Sequence, residues 1–155
     1  MIFQKTLLSA ATFFGLGKVS KAPGTVATVA TIPIVILMGQ FEFYIYMVLA
    51  LVIAILAIIS AEIYEQQSKE HDQSEIVIDE VVGFIVTMTW LPINWKTVLA
   101  GFLIFRFLDI LKPFPISYMD KKIQGGIGVV ADDLAAGIIG NILLQLILVK
   151  TTFFL

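Results

Sequence analysis

The run FYIYMVLALVIAILAIISA, residues 43–61, carries no charge over nineteen positions. About 20 apolar residues take an α-helix across a bilayer core, so this run predicts a membrane span and, with it, helical architecture. Outward from it, residues 22–40 are also uncharged, although Pro23-Gly24 and the threonines shorten the usable length and Pro33 is placed to bend it. Gly39-Gln40-Phe41-Glu42 reads as the tight connection between the two. Further apolar runs start near Val81, Thr97 and Leu134. Pro92 predicts the end of the first of these, and Lys112-Pro113-Phe114-Pro115 the end of the second, because proline has no amide hydrogen to continue a helix. Trp90 and Trp95 suit a membrane–water boundary. Phe3, Leu7, Leu8, Ala11 and Phe14 fall roughly on one helical face. The chain thus reads as one domain over residues 1–155. It is expected to be all-α, an integral membrane bundle of about four to five membrane-embedded helices plus a short N-terminal interfacial helix.

Composition supports that class. The apolar fraction is 59% and the charged fraction 14%, with a mean hydropathy of +0.97. Soluble domains hold about 45–50% and about 25%, so this chain has too few charges to cover a globule. A net charge of −2 excludes the basic face of a nucleic-acid binder. With no cysteine, disulfides, thiolate metal sites and cysteine nucleophiles are excluded together. His71 is the one histidine and sits in a polar loop, which excludes mechanisms that need two imidazoles. The N-terminal apolar run lacks a basic start and a cleavage site, so it is read as part of the mature protein.

Charge also sets an expected topology. If the runs starting near residues 25, 43, 81, 97 and 134 all cross from a cytoplasmic N-terminus, Lys5, Lys18, Lys21, Lys69, Arg106, Lys112, Lys121 and Lys122 fall inside. Lys96 and Lys150 fall outside. That agrees with the positive-inside rule. The same arrangement gathers Lys18–Thr25, Asp79-Glu80, Arg106–Lys112 and Asp132-Asp133 at one membrane face.

Ionisable groups among apolar helices are costly to bury and mark functional sites. Taken singly, each acid reads equally well as a helix cap or a partner of an interfacial lysine. Taken together, Asp79, Glu80, Asp109, Asp132 and Asp133 form an oxygen-only set suited to a hard cation such as Mg²⁺ or Mn²⁺. Arg106 shares a helical face with Asp109; the two read either as an internal ion pair that permits burial, or as a phosphate ligand, whose planar fork matches phosphate oxygens, beside a metal ligand. Lys18, Lys21 and Lys112 would together neutralise further phosphate charge, though singly each reads as an interfacial lysine drawn to anionic lipid. The span Gly15 to Thr25 reads as a flexible, donor-rich loop, of which Lys18 to Thr25 would cradle the phosphate. Gly125, Gly126 and Gly128 read as a tight turn before the Asp pair, which then stands at the mouth of an apolar helix. Ala136 with Gly140, and Gly137 with Asn141, have the spacing that lets helices pack closely in lipid. No Gly-x-x-x-x-Gly-Lys-Ser/Thr nucleotide loop is present.

Five blocks occur in an order that resembles the phosphatidylglycerophosphatase A family. They are Gly15-Leu16-Gly17, Lys21-Ala22-Pro23-Gly24-Thr25, the block Ile76 to Gly83, the block Arg106 to Ile116, and Gly125-Gly126-Ile127-Gly128-Val129 with Asp132-Asp133 and Ala136-Gly137. The polar tip around Asp72 matches loosely and is not carried over. The resemblance implies an all-helical, Mg²⁺-dependent enzyme of the bacterial cytoplasmic membrane. Its expected reaction is hydrolysis of the terminal phosphate monoester of phosphatidylglycerophosphate at the cytoplasmic surface. Asp79, Glu80, Arg106, Asp109, Asp132 and Asp133 are the expected catalytic set, the five acids holding metal. Lys18, Lys21, Thr25, Arg106 and Lys112 are the expected substrate-binding set, membrane lipid the surroundings, and a homo-oligomer is left open. Two readings compete. A cation transporter or channel subunit would spread its acids through membrane depth. A phosphatidyl transferase would need a nucleotide site, which the sequence does not show.

Overall fold

A computed structural model describes residues 2–18, 21–68 and 73–150. Ser20, Lys69, His71, Asp72 and the side chain of Phe3 lie outside the described residues. What is described is all-helical: α1 (Ile2–Ala11), α2 (Pro23–Met38), α3 (Phe43–Ser68), α4 (Ile78–Thr87), α5 (Trp95–Leu111), α6 (Ile116–Lys122) and α7 (Gly125–Lys150), with a 3-10 turn at Leu16–Lys18. Among these, α3 and α7 are long and apolar enough to cross a membrane, at 26 residues each, or about 39 Å. The helix α2 is apolar but has 16 residues, and α4 has 10.

The two long helices differ in surroundings. Tyr44, Val48, Leu51, Val52 and Ile55 line an outward face of α3 that the rest of the protein leaves uncovered. By contrast α7 is the axis of the bundle, packed by α3, α4, α5 and α6. Small residues make that possible. A Cβ at Gly137 would lie 2.5 Å from the Gly83 carbonyl oxygen, and one at Gly83 would lie 2.8 Å from that of Asp133. The helices α4 and α7 therefore meet backbone to backbone. Below the acids, Phe84, Ile85, Met88, Phe105 and Leu144 are fully buried and form an apolar floor.

Three sequence expectations are corrected. First, α7 starts at Gly125, so the glycine run is its first turn and Asp132-Asp133 lie in its third, not at its mouth. The physical reason is close packing: a Cβ at Gly126 would strike the α3 backbone at Ile58 and Glu62. Instead the Glu62 carboxylate accepts the Gly126 amide at 2.7 Å and caps the helix from outside. Second, α4 ends at Thr87, short of Pro92. Carbonyls in its last turn and just beyond it are taken by side chains of neighbouring helices. Asn141 donates to Thr87 (3.0 Å) and Thr89 (2.7 Å), Gln145 to Trp90 (3.1 Å), and the Tyr46 hydroxyl to Ile85 (2.7 Å). Third, the span Gly15 to Thr25 is not one loose loop. Pro23 opens α2 at its first position, where its missing amide costs nothing.

Candidate active site

Four helices converge at one end of the bundle. The first turn of α4 brings Asp79 and Glu80, the last turns of α5 bring Arg106 and Asp109, and α7 brings Asp132 and Asp133. Lys112 follows as the C-cap of α5, and Pro23-Gly24 comes from the start of α2. Together they line a cavity of about 320 Å³. The starts of α2 and α4 both face it, so two positive helix-dipole ends are directed at it.

Within the cavity the charges divide into two groups. In the first, carboxylate oxygens of Asp79, Glu80 and Asp133 all lie within 4.8 Å of one another. Asp79 Oδ1, Glu80 Oε2 and Asp133 Oδ2 are buried without a hydrogen-bond partner. Three anionic groups gathered this closely repel, and burial strips the water that would otherwise separate them. Arg106 answers only part of this charge: its Nη1 lies 2.5 Å from Asp109 Oδ2 and 3.8 Å from Glu80 Oε1. Its Nε is buried and has no acceptor. The cluster therefore offers orphaned acceptors beside an orphaned donor. All three acids supply oxygen, which fits a hard divalent cation such as Mg²⁺.

In the second group, Lys112 Nζ bridges Asp120 Oδ1 (2.5 Å) and Asp132 Oδ2 (2.6 Å). Burial pulls the Lys112 ammonium down, but the two carboxylates more than reverse this and hold it above the ordinary lysine value. Its backbone is left-handed, at φ 43° and ψ 56°, a conformation that is uncommon outside glycine and costs about 1–3 kcal/mol. That kink ends α5 and turns the ammonium back toward α7.

Not every sequence candidate reaches the cavity. Lys18 pairs with Glu75 at 3.8 Å and lines a neighbouring cavity with Lys5 and Tyr64. Lys21 is exposed and Thr25 half-buried, and neither borders the acids. Two contributors went unread in the sequence, and a third was misplaced. Asp120 and Glu62 look like ordinary surface acids until the helices are assembled. Gly24 was read as a loop residue, yet a Cβ there would land on the Glu80 carboxylate and 3.0 Å from Arg106 Nη1.

The model of a family described as "Phosphatidylglycerophosphatase A" matches residues 9–148. The chain belongs to the phosphatidylglycerophosphatase A family. The Escherichia coli protein named phosphatidylglycerophosphatase A is 39% identical over 130 residues, covering 81% of this chain and 74% of its own length. The Haemophilus influenzae protein of the same name is 38% identical over 127 residues, covering 81% and 78%. No solved structure matches. For this member of the phosphatidylglycerophosphatase A family, the matched span contains every residue that lines the acid cavity.

Proposed function

We propose that the chain hydrolyses the terminal phosphate monoester of phosphatidylglycerophosphate, giving phosphatidylglycerol and inorganic phosphate, with Mg²⁺ as cofactor and Mn²⁺ as a substitute. The observation that carries this is the pairing of orphaned carboxylate oxygens with an orphaned arginine donor in one cavity. Oxygens without partners suit a cation, and a guanidinium without an acceptor suits a phosphoryl oxygen. The two related proteins named for this activity support the choice of lipid.

Asp79, Glu80 and Asp133 would hold the metal. Bound there, a divalent cation supplies positive charge that polarises phosphoryl oxygens and acidifies water. Arg106, steadied by Asp109, orients the phosphoryl group and stabilises the charge that builds on it. Lys112 adds a second cation at the opposite wall and holds Asp132 out of the metal cluster. In the reaction, a P–O bond to water forms as the P–O bond to the glycerol oxygen breaks, and that oxygen leaves protonated. We favour direct attack by water over an aspartyl-phosphate.

The reading places the protein in the bacterial cytoplasmic membrane with the cavity toward the cytoplasm. The helices α2, α3, α5 and α7 would cross. The helix α4, about 15 Å long, would start at the cavity, and the segment after it would complete the passage to the far end, where Trp90 to Ile93 lie beside Gly39 to Phe43. The acids gather at one end above an apolar floor, which counts against a transport path. The test is phosphate release from phosphatidylglycerophosphate by detergent-purified protein with and without Mg²⁺. A wild type that releases none under any divalent metal would sink the proposal.

A further inference from the structure

Beneath the acid cavity, the boundary between α2 and α5 opens into an apolar groove of about 570 Å³. The helix α2 lines it with Val29, Ile32 and Ile36, and α5 with Val98, Leu99 and Phe102. Both helices pack on α4 and meet each other sparingly.

The groove and the cavity lie on the same helical faces. On α5, Val98, Phe102 and Arg106 recur every four residues and so share one side, with the last of them in the cavity. On α2, Thr25, Val29, Ile32 and Ile36 follow the same periodicity, starting beside Gly24 at the cavity wall. From Arg106 down to Trp95, which borders the lower end, α5 advances about 16 Å. That is close to one leaflet of a hydrocarbon core about 30 Å thick. A charged chamber one helical turn above an apolar slot of leaflet length has the polarity profile of a single phospholipid. The outward face of α3 is also apolar, but α3 contributes nothing to the cavity wall.

We infer that this groove receives an acyl chain of the lipid whose phosphate occupies the cavity, so that substrate enters sideways from the bilayer between α2 and α5. The inference rests on the lipid-phosphatase reading above and adds the route and the chain-binding residues. Thr25 then stands where chain and head group join, which gives this residue a place although it does not border the acids.

The test fills the groove. Val29→Trp and Leu99→Trp are assayed on long-chain phosphatidylglycerophosphate and on a water-soluble analogue with short acyl chains. Leu51→Trp, on the outward face of α3, is the control. The groove variants are expected to raise KM for the long-chain lipid at least tenfold and to change turnover of the short-chain analogue less than twofold, which also shows that they fold. Equal effects on both substrates, or none on either, would overturn the inference. A second arm needs no turnover. Asp133→Asn protein is irradiated with phosphatidylglycerophosphate carrying a diazirine in mid-chain, and the adducts are mapped. Adducts concentrated on α2 and α5 support the groove, whereas adducts as dense on the α3 face overturn it. If wild type releases phosphate from neither substrate, the phosphatase reading fails and the cross-linking still decides the groove.

Discussion

Asp132 and Asp133 are neighbours in sequence that turn to different partners. A helix rotates about 100° per residue, and here that rotation sends Asp133 to Asp79 and Glu80 and Asp132 to Lys112. That two adjacent acids would divide was legible from helical geometry alone. Which acid went where was not, because it depends on α4 and Lys112 arriving from distant parts of the chain. The crowded trio predicts a reversal of stability. Without divalent metal, Asp133→Asn relieves like-charge repulsion, and its Tm should exceed that of wild type. With Mg²⁺ at about 100 times Kd, wild type should gain about 2.7 kcal/mol, or roughly 5–10 °C, and the variant far less. Differential scanning with and without chelator checks this, and a wild type indifferent to Mg²⁺ would count against the metal assignment. Lys112 predicts a pH dependence. Its folded pKa lies above the ordinary 10.5, so its contribution is complete below about pH 10.5 and is lost as pH rises through the higher folded value. Lys112→Gln leaves Asp132 buried without a cation and should cost about 3 kcal/mol. Chemical denaturation should show that gap constant from pH 7 to 9.5.

Among the elements, the unequal helix lengths make the site. The helices α2, α4 and α5 end at the level of the acids, while α3 and α7 continue beyond it to the Glu62–Gly126 contact. The cavity is the notch that the shorter helices leave. Apolar runs made these helices legible in the sequence, but their ends were less so. Glycine read along one dimension suggests a turn, and only the α3 backbone lying against Gly126 shows why a helix begins there. Proline gave the wrong end for α4 because amide side chains from α7 take its carbonyls first. The contact between α4 and α7 sets the distance from Asp79 and Glu80 to Asp133, and two glycines in one helix separate that role from simple propensity. Gly137→Ala forces a Cβ against the Gly83 carbonyl and should cost about 1–3 kcal/mol and weaken the Mg²⁺-induced Tm shift. Gly140→Ala would meet its nearest neighbour, Thr87 Cγ2, at an ordinary 3.4 Å. It should be neutral or stabilising by up to about 1 kcal/mol, as alanine is in a helix. Thermal melting of the pair distinguishes the two.

Across the whole molecule, the gathering of the acid motifs at one end was legible once the apolar runs were laid side by side as helices. The apolar floor under it was not, since Phe84 and Phe105 sit on different helices and meet only in the folded bundle, with ring centroids 6.1 Å apart. The proposed orientation is directly testable because the chain has no cysteine of its own. Gln40→Cys lies at the far end of the bundle and Gln73→Cys at the cavity. An impermeant maleimide added to intact spheroplasts should label the first and reach the second only after the membrane is opened. The reverse pattern would invert the topology.

The carbonyls at the end of α4, sealed by Asn141, Gln145 and Tyr46, close the bundle opposite its acids. A chamber stoppered in this way has one door for water and ions. In the proposed orientation, phosphate cut from a head group would leave by the face through which the metal entered. Each cycle would then carry no charge through the bilayer, and the proposed reaction would neither draw on a membrane potential nor dissipate it.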